Sequence, residues 1–340
     1  METVRESADV GVKQVADQLH ERLRDYLESQ YHIRNADVIA ERRSLLEEVG
    51  TIGQQPYLET TPTYELGAPY AQLGLPDPLG EVLTVMSGWQ PSIGVYPRPY
   101  VHQADALESF FNDGRDLIVA TGTGSGKTET FLMPILGQLL LEASQRPASF
   151  QYFGCRALLL YPMNALVSDQ VGRLRRLFGD ERLNDLFRQR GGRHPRFGSY
   201  TSRTPYPGPR TSKKDRRHLD EVLRYYLEIE NPPSDRDEDE KAVLKRRYHE
   251  LRERGRWPAK DLAGFFGEPG RRWETRLRTQ PGDSELMTRH EIQEQCPDIL
   301  VTNYSMLEYM LLRPIERSIF RQTQQWLEQD ERNQFILVLD

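Results

Sequence analysis

Early in the chain, apolar positions recur every three to four residues. Val12, Val15, Leu19, Leu23, Tyr26 and Leu27 fall on one face of an amphipathic helix predicted over residues 10–30. A second short helix is predicted over Asn35–Val49, ended by Gly50. From Gly53 to Pro99 the period breaks, with many Pro, Gly and aromatic residues, so this run should wrap as ordered loops and short helices. Helical spacing returns in YPRPYVHQADALESFF (residues 96–111), where Ala106, Leu107, Phe110 and Phe111 form the apolar side.

Beyond this point the text alternates. Short apolar runs suited to buried strands occur at Leu117–Val119, Arg156–Tyr161, Phe197–Thr201, Ile299–Thr302 and Phe335–Leu339. Between them lie helical patterns opening at Lys127, within PMNALVSDQVGRLRRLF (residues 162–178) and within NYSMLEYMLLR (residues 303–313). Strand–helix alternation predicts an α/β fold, a parallel sheet with helices on both faces, whose ligands sit at the carboxyl ends of the strands. One stretch interrupts the alternation. Arg203–Arg289 is rich in charge, Pro and Trp, with helix-like segments at residues 215–230 and 238–255. Its flanking strands belong to one sheet, so its ends must lie close, and a long excursion costs little loop-closure entropy. It should be a mostly helical protrusion that adds no strand. The expected organisation is an N-terminal extension over residues 1–95 and a main domain over residues 96–340, carrying the insertion at 203–289.

Composition narrows the function classes. The 340 residues carry a net charge of −6, so bulk charge does not mark a nucleic-acid binder. Its distribution does more: Val171–His218 holds 14 Lys/Arg against 4 Asp/Glu. That is either an electrostatic footprint for phosphates or a solvated helical face. Cys155 and Cys296 stand far apart with no Cys/His partner spacing, which argues against a zinc site and a disulfide scaffold and suits a reducing cytoplasm. With no membrane-length apolar run and no signal-peptide core in METVRESADV, a cytoplasmic protein with no membrane partner is expected.

The chemistry concentrates in DLIVATGTGSGKTETFLMPIL, residues 116–136. An apolar run, then Thr121-Gly122-Thr123-Gly124-Ser125-Gly126, then a helix from Lys127 is the arrangement of a phosphate cradle. Glycines let backbone N–H groups close around an anion, and the helix N-terminus favours negative charge. Lys127 would reach the β- and γ-phosphates of ATP, and the Thr128 hydroxyl would ligate Mg²⁺. Upstream, Gln103 offers an amide donor and acceptor suited to an adenine edge; the plainer reading is an exposed residue at a helix start.

These segments together resemble the first, RecA-like motor domain of superfamily 2 DEAD/DEAH-box helicases. Among these they look most like the Lhr-like and DUF1998-associated group, which includes helicases of bacterial defence systems. The resemblance covers residues 96–340 apart from the insertion. Gln103 falls where the family has its adenine-contacting Gln. TGTGSGKT is similar to motif I, with Thr121 in place of Ala or Gly. PMNALVSDQ resembles motif Ia through Pro162, Asn164 and Gln170. YTSRTP (residues 200–205) looks like a stretch of the Lhr-like relatives that includes an Arg, here Arg203. Thr302-Asn303 with Met306-Leu307 resembles motif Ib, and Asp340 ends an apolar strand as the Asp of the DExH box does.

The resemblance implies ATP and Mg²⁺ as cofactors, Lys127 and Asp340 as catalytic groups, and Thr128 and Asp340 at the metal. It implies a nucleic-acid track along Pro162, Asn164, Gln170, Arg173, Arg203, Thr302 and Asn303, with Arg175 and Arg176 added by the basic stretch and DNA favoured over RNA. Two family parts are not in this chain: the Glu that follows the Asp, and a second RecA-like domain. The expectation is therefore an N-terminal fragment of an antiviral-defence motor, inactive alone, whose insertion could receive a protein partner. Two rivals stay open, a truncated ATP- or partner-binding module that hydrolyses nothing and a translocase subunit of a restriction system.

Overall fold

A computed structural model describes residues 11–54, 63–122, 124–205, 211, 225–230, 232, 237–267 and 276–340. The chain divides into two compact units, Met1–Thr63 and Tyr64–Asp340. In the first, helices α1 (Val12–Gln30) and α2 (Ala36–Glu47) occupy the predicted places, α2 capped by the Asn35 side chain on the backbone N–H groups of Asp37 and Val38. Neither helix buries a residue, and the apolar stripe of α1 is exposed.

The second unit begins well before the expected boundary at residue 96. Tyr70, Leu73 and helix α3 (Leu79–Ser87) belong to the same apolar core as the sheet, with Leu79, Leu83 and Met86 wholly buried. Helices α4 (Val101–Phe111), α5 (Lys127–Gln145) and the short α6 (Pro147–Phe150) follow. Then come β1 (Ala157–Tyr161), α7 (Asn164–Phe178), α8 (Glu181–Gly191) and β2 (Phe197–Tyr200). Within the insertion the described helical residues are 225–230, α9 (Glu238–Glu253) and α10 (Leu262–Phe266). The chain closes with β3 (Glu285–Leu286), α11 (Arg289–Glu294), β4 (Ile299–Asn303), α12 (Tyr304–Leu312), α13 (Arg317–Leu327) and β5 (Ile336–Leu339).

The five strands form one parallel sheet in the order β3-β2-β4-β1-β5. Side chains alternate across it, as the period of two requires. Ala157, Leu159, Tyr161, Ile299 and Val301 face the core built by α3 to α8, whereas Leu158, Leu300 and Tyr200 face Ile292, Met306, Met310 and Ile319 from α11, α12 and α13. Helices thus cover both faces, the RecA-like α/β arrangement. A buried polar knot joins the layers: Arg156, 1% exposed, donates twice to Glu142 at 3.1 and 2.9 Å and lies over the Trp326 ring, whose Nε1 also donates to Glu142 at 2.8 Å.

Two strand expectations change. The Leu117–Val119 run is not a strand, and Ile118 is 98% exposed. Its composition suits a sheet, but the run pairs with neither open edge of the sheet, β3 nor β5. The insertion, conversely, does add a strand. Its returning limb lies beside β2, where Phe197 N–H donates to Ser284 O and Glu285 pairs with Phe197 in register. The rest of its described part is helical, with a satellite core of Ile229, Leu251, Trp257, Leu262, Phe265, Phe266 and Leu277. Residues 215–224, and with them much of the first predicted insertion helix, lie outside the described residues.

Candidate nucleotide and nucleic-acid site

The phosphate-loop candidate sits where a loop turns into α5. Gly124 and Gly126 both adopt left-handed backbone, φ +78° and +80°, and Gly126 is the residue that caps the helix. A side chain at Gly126 would displace the Gln103 amide, and the positive φ itself favours glycine there. Thr121 and Ser125 share a hydrogen bond of 2.7 Å between hydroxyls, with Ser125 fully buried, which braces the loop from within. Lys127 and Thr128 form the first turn of α5. Lys127 is exposed and makes no ion pair among the described residues. Thr123 lies outside the described residues.

Gln103 touches this loop directly. Its Nε2 donates to Gly126 O at 3.0 Å, and its Oε1 accepts from Tyr100 N–H at 2.9 Å. Both ends of the amide thus tie the start of α4 to the glycine-rich loop, each through one hydrogen bond, which leaves one N–H and one lone pair of the amide unused by these contacts. Asp340 follows β5 at the carboxyl end of the sheet. Its N–H donates to Leu160 O at 3.2 Å, and its carbonyl accepts from the Tyr304 hydroxyl at 3.0 Å. Beside it, the buried Tyr161 hydroxyl has no partner among the described residues; burial, then the Asp340 charge, push its pKa well up.

The three segments compared with helicase motifs Ia, Ib and YTSRTP converge at that end. Asn303 caps α12 by accepting from Met306 N–H at 2.8 Å, and its Nδ2 donates to Asn164 Oδ1 at 2.7 Å. Asn164, the first residue of α7, in turn donates to Ser202 Oγ at 3.4 Å. Here a cavity of about 220 Å³ is lined by Asn164, Ser168, Ser199, Thr201, Arg203 and Thr204, with Arg203 exposed. Pro162 is exposed at the end of β1. Thr302 and Gln170 are instead buried; the Thr302 hydroxyl donates to Tyr200 O at 2.5 Å, and Gln170 Oε1 lacks a partner among the described residues.

The basic stretch divides. Arg175 also lines the cavity beside Asn164 but is engaged: it grips Glu285 with two hydrogen bonds of 2.7 Å and donates to Gly255 O and Arg256 O. It clamps α7 to the insertion. Arg182, Arg188 and Arg193 are likewise spent on Asp180, on Glu181 with Asp185, and on Asp298. Arg173 pairs with Glu129 at 3.2 Å and Asp169 at 3.3 Å, linking α7 to the first turn of α5. Arg176 and Arg203 remain exposed. Sequence reasoning overlooked Glu129. Its place directly after Lys127-Thr128 was visible, but its partner lies 44 residues away and becomes a neighbour only through packing.

Residues 100–195 match the model of the DEAD/DEAH box helicase family. Over 97% of its length it is 50% identical to Druantia protein DruE of Escherichia coli (strain UMEA 4076-1), of which it spans 18%. A shorter stretch of 71 residues, 21% of this chain and 12% of the relative, is 38% identical to ATP-dependent RNA helicase ROK1 of Scheffersomyces stipitis. The chain thus spans less than a fifth of the length of either relative. Among the described residues, no helix is long and apolar enough to cross a membrane, and no cluster of His, Cys, Asp and Glu could hold a metal ion by itself.

Proposed function

We propose that the chain is the N-terminal part of an ATP-driven helicase or translocase that binds Mg²⁺-ATP and a nucleic-acid strand. The observation that carries this reading is the glycine-rich loop: two left-handed glycines, a helix opening on Lys127, and a lysine with no carboxylate partner among the described residues. Such a cradle fits a polyphosphate, since backbone N–H groups and one free ammonium meet the charge without a ring of ligands. Bound Mg²⁺-ATP supplies the phosphoryl group whose transfer to water powers movement, and phosphate-bound Mg²⁺ needs only one or two protein groups. Thr128 and Asp340 are the residues for that task. Lys127 neutralises β/γ-phosphate charge, while Gln103 holds α4 against the loop beside the base. Asn164, Ser202, Arg203 and Asn303 offer amides, a hydroxyl and a cation to phosphates of the track, which positions a strand without reading its sequence. DNA is the favoured track. By its likeness to Druantia protein DruE, the motor is assigned to bacterial antiviral defence. The direct test is titration of the chain with Mg²⁺-ATP by calorimetry, beside Lys127→Ala. Saturable binding lost in the variant is expected; equal affinity in both proteins overturns the assignment.

A further inference from the structure

The insertion and the sheet domain enclose a second cavity, of about 220 Å³, remote in composition from the phosphate loop. Its floor is Asn184, Ser284 and Trp257, which are 2, 2 and 6% exposed. Asn184 Nδ2 donates to Ser284 Oγ at 3.0 Å, but its Oδ1 is buried with no partner among the described residues. A buried amide oxygen left unpaired costs about 1–3 kcal/mol, so its retention calls for a donor from elsewhere. Tyr248 stands against Trp257, ring centroids 4.7 Å apart, and forms an aromatic wall, with Arg252 of the same cavity 6.0 Å from the Tyr248 ring centroid and donating to the Tyr248 hydroxyl at 3.2 Å.

Charge at the rim has one sign in excess. Glu181, Glu230 and Asp261 line it against Arg252, because the other two cations, Arg175 and Lys260, are committed to Glu285 and to Asp283 with Glu291. Glu181 is shared with Arg188 and Asp261 caps α10, whereas Glu230 makes no ion pair among the described residues. Glu230 is exposed at the rim, and its pKa is raised by partial burial first and by the Asp261 charge second.

We infer that this cavity binds a guanidinium or alkylammonium group, which donates to Asn184 Oδ1 and Glu230 and rests on the Trp257–Tyr248 wall. Donors, positive charge and an aromatic face are complementary requirements, and one planar cation on an aliphatic stem meets all three. The space accommodates such a group with part of its stem. The proposal stands apart from the nucleotide reading and is tested without ATP.

Ligand-observed NMR and calorimetry of the 340-residue chain with N-methylguanidinium, against neutral N-methylurea, form the test. Saturable binding of the cation is expected, with N-methylurea silent. Glu230→Gln, with an unchanged melting temperature, should weaken cation binding about tenfold, as loss of one charge-assisted contact implies. Spermidine and a Gly-Arg-Gly peptide distinguish the source: a tighter peptide points to a side chain of a partner protein, a tighter spermidine to a free polyamine. No saturation by any cation, equal binding of N-methylurea, or unchanged affinity in Glu230→Gln overturns the proposal.

Discussion

Two lysines mark opposite uses of charge in this molecule. Lys127 opens α5 beside glycines, exposed and without a carboxylate partner among the described residues. Lys260 is fully buried, 2.5 Å from Asp283 and 2.9 Å from Glu291, with its ammonium 4.2 Å from the centroid of the Phe265 ring. The first is costly to nothing in the fold and available to a ligand; the second is consumed in holding the insertion against the strand pair β2–β3. The contrast runs through the arginines too. Arg156 and Arg175 are structural, whereas Arg176 and Arg203 face water. A count of basic residues therefore does not locate a binding surface. What locates one is a cation whose counter-charge the fold does not supply.

The comparison breaks most visibly at Lys260. Lys260→Met leaves two buried carboxylates uncompensated and should cost about 3–5 kcal/mol of stability, read as a lower urea midpoint. A midpoint equal to that of the parent would show that the pair does no structural work. Asp298 sharpens the same side. Its burial favours the neutral acid, but Arg193 and Arg156 outweigh that and hold its pKa below the ordinary value. Its contribution is therefore present above the ordinary Asp range and is lost as pH falls through the depressed folded value. Urea midpoints should drop as pH falls below the ordinary Asp value of about 4, and Asp298→Asn should start lower at neutral pH and drop less.

On the functional side, Lys127→Ala should weaken Mg²⁺-ATP binding at least about tenfold, the worth of charge-assisted contacts of about 1.5–3 kcal/mol, while the melting temperature stays put. A matching fall in melting temperature would put Lys127 among the structural charges instead. The smallest effect separates two arginines. Arg175→Ala should lower stability and leave the salt dependence of single-strand binding unchanged. Arg203→Ala should leave stability alone and reduce the slope of log affinity against log salt by about 1, with little sequence preference, in fluorescence anisotropy. The reverse pattern would move the track contact from Arg203 to Arg175.

Much of this was legible beforehand because it is local. Four of the five apolar runs became strands, and α5 begins at Lys127 as the glycine punctuation required. The failures were non-local. Leu117–Val119 reads as a strand by composition, yet a strand needs a paired neighbour, and the run joins neither edge of the sheet, β3 nor β5. Glu285–Leu286 is too short to register as an apolar pattern, and only its proximity to β2 makes it a strand. The start of the second unit moved to Tyr64 because irregular segments such as Tyr70–Leu73 are recruited by packing rather than by periodicity.

Residue types at short spacing were enough for the glycine-rich turn into α5, the α/β alternation and the helicase-like order of segments. Tertiary structure decided which charges are free. Arg175 and Arg203 are alike as letters, but one meets Glu285 across 110 residues of chain and the other meets solvent. An ion pair between distant segments has no signature in local spacing, because its energy depends on burial and approach that only packing creates.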